Sequence, residues 1–108
     1  MHMTHNDTPL PAVDNLALEL FVERRGAPRG RYSKELTAAL RCFLSKLATV
    51  PVYLRCGRVY TWSGQENQEV RLMEETEMKV AKLYRRGLIE RRGERLYPTA
   101  AGRAEMSK

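Results

Sequence analysis

The chain has 108 residues, 43% hydrophobic and 30% charged, with a formal net charge of +6. That length fits one domain with a modest core, and no run of 18 apolar residues offers a membrane span. No signal-peptide pattern opens the chain, Cys42 and Cys56 lack metal-ligand spacing, and both histidines, His2 and His5, lie at the start. A reduced cytoplasmic protein without metal, cofactor or histidine catalysis is therefore expected.

Residues 1–13 are polar, contain Pro9 and Pro11, and read as a disordered arm ahead of a single domain over 14–108. Asp14 is placed to N-cap a helix running to Arg25, with Gly26 as its stop. That helix is apolar nearly all round. Residues 26–31 break the pattern. Ser33 is then expected to cap a second helix, where Leu36, Leu40, Phe43 and Leu47 recur at spacings of 4, 3 and 4 and mark a core face ending before Pro51.

Residues 50–64 hold the strand formers Val50, Val52, Tyr53, Val59, Tyr60 and Trp62 around Cys56-Gly57. A hairpin and a short helix with an aromatic face both fit, and β-propensity favours the extended form. Residues 65–86 read as helical, with Val70, Met73, Val80, Leu83 and Tyr84 on one face, either unbroken or turning near 72–75. Gly87 ends that helix, and Arg85 and Arg86 suit its negative end. Two short strands follow, at 88–91 and 94–97, with Arg92-Gly93 as the turn. In that register Ile89 faces Leu96, Leu88 faces Tyr97 and Glu90 faces Arg95, leaving Arg91 and Arg92 unpartnered at the tip; a three-residue loop also fits and would shift the register by one. Pro98 ends the second strand, and Thr99 caps a last helix over 100–106 that Gly102 weakens.

Charge is unevenly placed. Residues 79–108 hold nine basic and three acidic groups, a net +6, whereas the first 78 hold ten of each sign. Within the neutral part, 24–34 carry five basic groups, and 66–77 carry five glutamates and one arginine. Such asymmetry points to a polyanionic partner for one face.

The order Val80-x-x-Leu83-x-x-x-Gly87-Leu88-Ile89, then a basic hairpin, then Pro98-Thr99-Ala100-Ala101-Gly102-Arg103 resembles the winged helix-turn-helix transcriptional regulators, the MarR-like and PadR-like families among them. The resemblance spans roughly 74–106. It implies a mainly α fold with a small β-hairpin wing (α+β). In it, 33–49 form the first helix of the motif, 63–72 the second, and the helix before Gly87 is the recognition helix.

A helix in the major groove reads base edges, and a basic hairpin reaches phosphates or the minor groove. With Thr76, Val80 and Leu83 inward, the residues Glu75, Met78, Lys79, Lys82 and Arg86 point outward. Lys79, Lys82 and Arg86 are thus candidate DNA contacts, with Arg91, Arg92 and Arg95 on the wing. Glu74, Glu75 and Glu77 favour a helix N-terminus but repel phosphates, which suggests backbone avoidance or a partner-facing surface. Pro28-Arg29-Gly30-Arg31 resembles the core of an AT-hook, which would place Arg29 and Arg31 in a narrow minor groove. Tyr32 replaces the second proline, and a plain basic loop is the competing reading. Tyr53, Tyr60 and Trp62 fit either a core or a stacking platform for single strands.

The expected function is a sequence-specific, double-stranded-DNA-binding transcriptional regulator, a repressor occupying its operator. It is expected to dimerise through the helix at 14–25, alone or with the first part of the 65–86 segment. The alternative is a winged module that docks on a protein without reading DNA. No nucleophile–base pair, metal spacing or phosphate-cradling glycine loop argues for an enzyme.

Overall fold

The computed structural model describes residues 10–27 and 35–108. Helix α1 spans Leu16–Arg25 and is stopped by Gly26, whose φ of 68° is left-handed. It starts later than expected, because Asp14 does not cap it. Asn15 holds the N-cap position without a side-chain cap bond, and its Oδ1 instead accepts from the Arg91 amide at 3.0 Å. Helix α2 spans Ala38–Thr49 and is capped by Thr37, whose side chain accepts from the Leu40 amide. Its buried residues Leu40, Phe43, Leu44 and Leu47 carry the predicted face. Ser33 lies outside the described residues.

Strands β1 (Val52–Arg55) and β2 (Arg58–Ser63) form the hairpin that β-propensity favours, with Arg55 opposite Arg58. Cys56 and Gly57 both take positive φ, at 50° and 74°, the condition for a two-residue turn that follows strand twist. A third strand, β3 (Gln68–Arg71), pairs antiparallel with β2. Here the helical expectation for 65–86 is corrected. Asn67, at φ 53°, turns the chain back, and Val70 pairs with Thr61 on the sheet.

Helix α3 begins only at Glu74 and runs to Arg85. Three glutamates in its first turn and Lys82 and Arg85 in its last suit the helix dipole. Beyond it, the Leu88 amide donates to Leu83 O and the Gly87 amide to Tyr84 O. This paired closure needs the left-handed φ of 74° at Gly87.

Strands β4 (Ile89–Arg92) and β5 (Arg95–Pro98) form the second hairpin, and α4 (Ala100–Met106) follows under the predicted Thr99 cap. The hairpin register differs from the expectation. The turn is Gly93-Glu94, so Ile89 faces Pro98, Glu90 faces Tyr97, Arg91 faces Leu96 and Arg92 faces Arg95. Gly93 supplies positive φ at the first turn position, and the shift brings Ile89, Leu96 and Pro98 onto one buried face.

The five strands make one sheet in the order β3-β2-β1-β5-β4, with every pairing antiparallel. The architecture is thus α+β with a full sheet, not a helical domain with a two-stranded wing. A helix-turn-helix needs a helix just ahead of α3, but the end of β2, a turn and β3 occupy 63–71. One core joins the inner sheet residues Val52, Leu54, Val59, Ile89 and Leu96 to buried side chains of α1, α2 and α3. Each fully buried Leu, Ile or Phe there contributes about 1.5–3 kcal/mol. The edge of β4 is closed by the segment before α1, through a Val13–Arg92 bridge and an Asp14 amide bond to Arg91 O. Residues 10–13 of the predicted arm therefore belong to the folded unit.

Candidate nucleic-acid interface

Helix α3 fixes the predicted reading face. Val80, Ala81 and Leu83 are fully buried, whereas Lys82 is exposed and Lys79 is half-buried. Arg86 sits at the C-cap of the same helix, half-buried. Residues 75, 78, 79, 82 and 86 share one stripe, because positions three and four apart are neighbours on a helix. Lys79 and Lys82 line a shallow groove of about 290 Å³ beside Thr37 at the start of α2. On its other side, Lys79 shares with Lys46 of α2 a groove of about 440 Å³ whose floor includes Phe43, Val52 and Leu72. Among the described residues, Lys46, Lys79 and Lys82 have no ion pair. Three lysines thus converge where α2 and α3 meet, and Lys46 carried no sequence signal because it lies on another helix.

The three glutamates predicted at the start of α3 separate in role. Glu74 and Glu75 are exposed. Glu77 has no exposure at all and is not a partner-facing group. One of its oxygens meets Arg25 of α1 at 2.5 Å and lies 3.7 Å from Arg58 of β2. The other accepts from the Val59 amide at 3.1 Å. A single carboxylate therefore ties α1, α3 and β2 together. Nearby, the Tyr84 hydroxyl donates to Glu19 Oε1 at 2.6 Å. Burial, with help from that bond, pushes the Tyr84 pKa up to about 12. Arg85 pairs with the same Glu19 at 3.5 Å, so α3 is pinned to α1 along its length.

The hairpin arginines do not stand unpartnered at a tip. Arg91 points inward, donates to Leu54 O through Nε and Nη2, and pairs with Asp14 at 3.0 Å. Arg92 pairs with Glu90 and donates to Pro11 O. Arg95 stacks 4.9 Å from the centre of the Tyr97 ring and has no ion pair among the described residues. Arg91 and Arg92 therefore hold the N-terminal segment on β4, and of the three only Arg95 keeps its charge unpaired. Arg29 and Arg31, with the Pro28-to-Arg31 motif, lie outside the described residues.

Among the described residues, no group of three or more His, Cys, Asp or Glu side chains is placed to hold a metal, and no helix is long and apolar enough to cross a membrane. No family model, curated protein or solved structure matches the chain.

Proposed function

We propose that the chain binds double-stranded DNA through the outward face of α3 and acts as a transcriptional regulator, repressing by occupying its site. The observation that carries this reading is the convergence of Lys46, Lys79 and Lys82, unpaired among the described residues, where α2 meets α3. Lysines left without carboxylate partners attract phosphates, and releasing the counterions condensed on DNA drives such binding. Glu75 on the same stripe faces away from backbone phosphates or accepts from a cytosine amino group. In this reading α2, not a helix immediately upstream, supports the reading helix. The paired hairpin serves as scaffold.

Leu16 and Leu20 of α1 are 71% and 49% exposed, and Val13, ahead of the helix, is 46% exposed. Such an apolar stripe on a helix suits a two-fold dimer, which would present two copies of α3 to a palindromic site. Duplex binding is tested by titrating labelled random-sequence duplex at increasing salt. Affinity falls steeply with salt for wild type, and Lys79→Ala with Lys82→Ala lowers the slope by about one per lysine. Selection from a random duplex pool then returns the site and its symmetry.

The alternative, docking on a protein, is favoured by the apolar floor of the groove of about 440 Å³. It predicts no duplex binding even at low salt.

A further inference from the structure

We propose that the outer face of the five-stranded sheet binds single-stranded RNA. The surface is built on Tyr53, Tyr60, Arg71 and Arg95 and does not depend on the duplex reading; Trp62, at its border, also lines the groove of about 440 Å³ beside Lys46 and Lys79. Side chains alternate across a strand, and directly paired residues share a face. Val52, Leu54 and Val59 point into the core, so Tyr53, Tyr60 and Trp62 point away from it. The register sets Tyr53 opposite Tyr60, and Arg71 opposite Tyr60 on the far side. Arg95 lies opposite Tyr53 on β5. The core-forming helices pack on the inner face, and Trp62 is 46% exposed.

The chemistry of this face fits bases and phosphates together. Tyr60 and Trp62 are two residues apart, about 7 Å along the strand, enough for a separate base on each ring. Stacking on aromatic rings is how open sheets hold unpaired bases, and it tolerates any base. The platform is rigid, because Arg55 sits 5.3 and 5.4 Å from the ring centres of Tyr53 and Tyr60 and is held by Glu69 and Glu94. Arg71 and Arg95 flank the rings and have no ion pair among the described residues. Their charge complements a phosphate backbone. Glu69, opposite Trp62, repels a phosphate but can accept from a ribose 2′-hydroxyl, which favours RNA over DNA.

Trp62 is the only tryptophan of the chain; because it also lines the groove of Lys46 and Lys79, its quenching is read together with the Arg71→Glu and lysine variants. The full chain is titrated at low salt with an oligouridylate of about ten nucleotides, with the deoxyribose oligomer of the same bases, and with poly-glutamate. Labelled RNA is followed in parallel by anisotropy. RNA is expected to quench Trp62 and to bind more tightly than the DNA oligomer. Tyr60→Ala and the exposed-site variant Arg71→Glu each weaken RNA binding about tenfold, with unchanged circular dichroism for Arg71→Glu. Lys79→Ala with Lys82→Ala leaves RNA affinity within about twofold, so failure here and failure of duplex binding are read separately. The proposal is overturned if RNA causes no quenching, or if Arg71→Glu binds RNA like wild type. Equal affinity for the DNA oligomer, equal quenching by poly-glutamate, or loss of RNA binding in the lysine variant overturns it as well.

Discussion

At Glu77, a carboxylate without exposure answers two arginines and a backbone amide. Removing one member of a buried, hydrogen-bonded pair leaves its partners uncompensated. Glu77→Ala is therefore expected to cost about 3 kcal/mol of stability, measured by urea unfolding, whereas exposed Glu74→Ala costs little. Sequence could not separate these two, because both are glutamates in one helical turn and only the arrival of Arg25 and Arg58 from elsewhere distinguishes them. At Gly102, an added Cβ would lie 2.2 Å from Leu88 O. Gly102→Ala is thus expected to destabilise by about 1–3 kcal/mol, although alanine is the better helix former; a gain in melting temperature would contradict the packing. The glycine that weakens α4 as a helix is what lets α4 sit on the chain entering β4. Tyr84 adds a pH dependence. Its folded pKa of about 12 exceeds the unfolded value of about 10, so the folded state keeps the proton longer. The stability it supplies is complete below about pH 10 and is lost as pH rises towards 12. Urea midpoints at pH 9 and 12 should converge less in wild type than in Tyr84→Phe, where this loss is absent.

Among the elements, those with local punctuation were legible. Gly26 and Gly87 stop their helices, Thr99 caps α4, and the spacing of Leu40, Phe43 and Leu47 marks the core face of α2, with Leu36 buried just ahead of its Thr37 cap. The strand character of 68–71 is not legible locally, because it comes from pairing with β2, and Val70 is its one inward apolar residue before Leu72. In the second hairpin, the turn lies one residue later than the charge pattern predicts. Opposite charges at Glu90 and Arg95 favoured a pairing that the burial of Ile89, Leu96 and Pro98 overrides. That shift turned Arg91 inward, where it joins β1 and the N-terminal segment. Arg91→Ala is accordingly expected to lower thermal stability while leaving the salt slope of duplex binding unchanged. A lower slope in a fully folded Arg91→Ala protein would restore it as a phosphate contact.

Across the whole molecule, one sheet separates two surfaces. Its inner face carries the helices, with Lys46, Lys79 and Lys82 where α2 and α3 meet; its outer face carries the aromatic and arginine side chains. The basic excess after residue 78 suggested one polyanion-binding region. Folding divides it, placing part at α3, binding Arg91 and Arg92 into the scaffold, and setting Arg95 on the outer face. The period-two alternation of Val52, Leu54 and Val59 with Tyr53 and Tyr60 is present in the sequence; the five-strand width of the sheet is not, because β1 meets β5 through Tyr53 and Arg95, 42 positions apart (95 − 53). Duplex binding through α3 is tested by the anisotropy of a labelled random duplex against salt, for wild type and for Lys79→Ala with Lys82→Ala. Wild type is expected to bind with a steep salt dependence, and the slope is expected to fall by about two in the double variant. Absence of duplex binding at low salt, or identical slopes for the two proteins, would exclude α3 as the duplex-binding face.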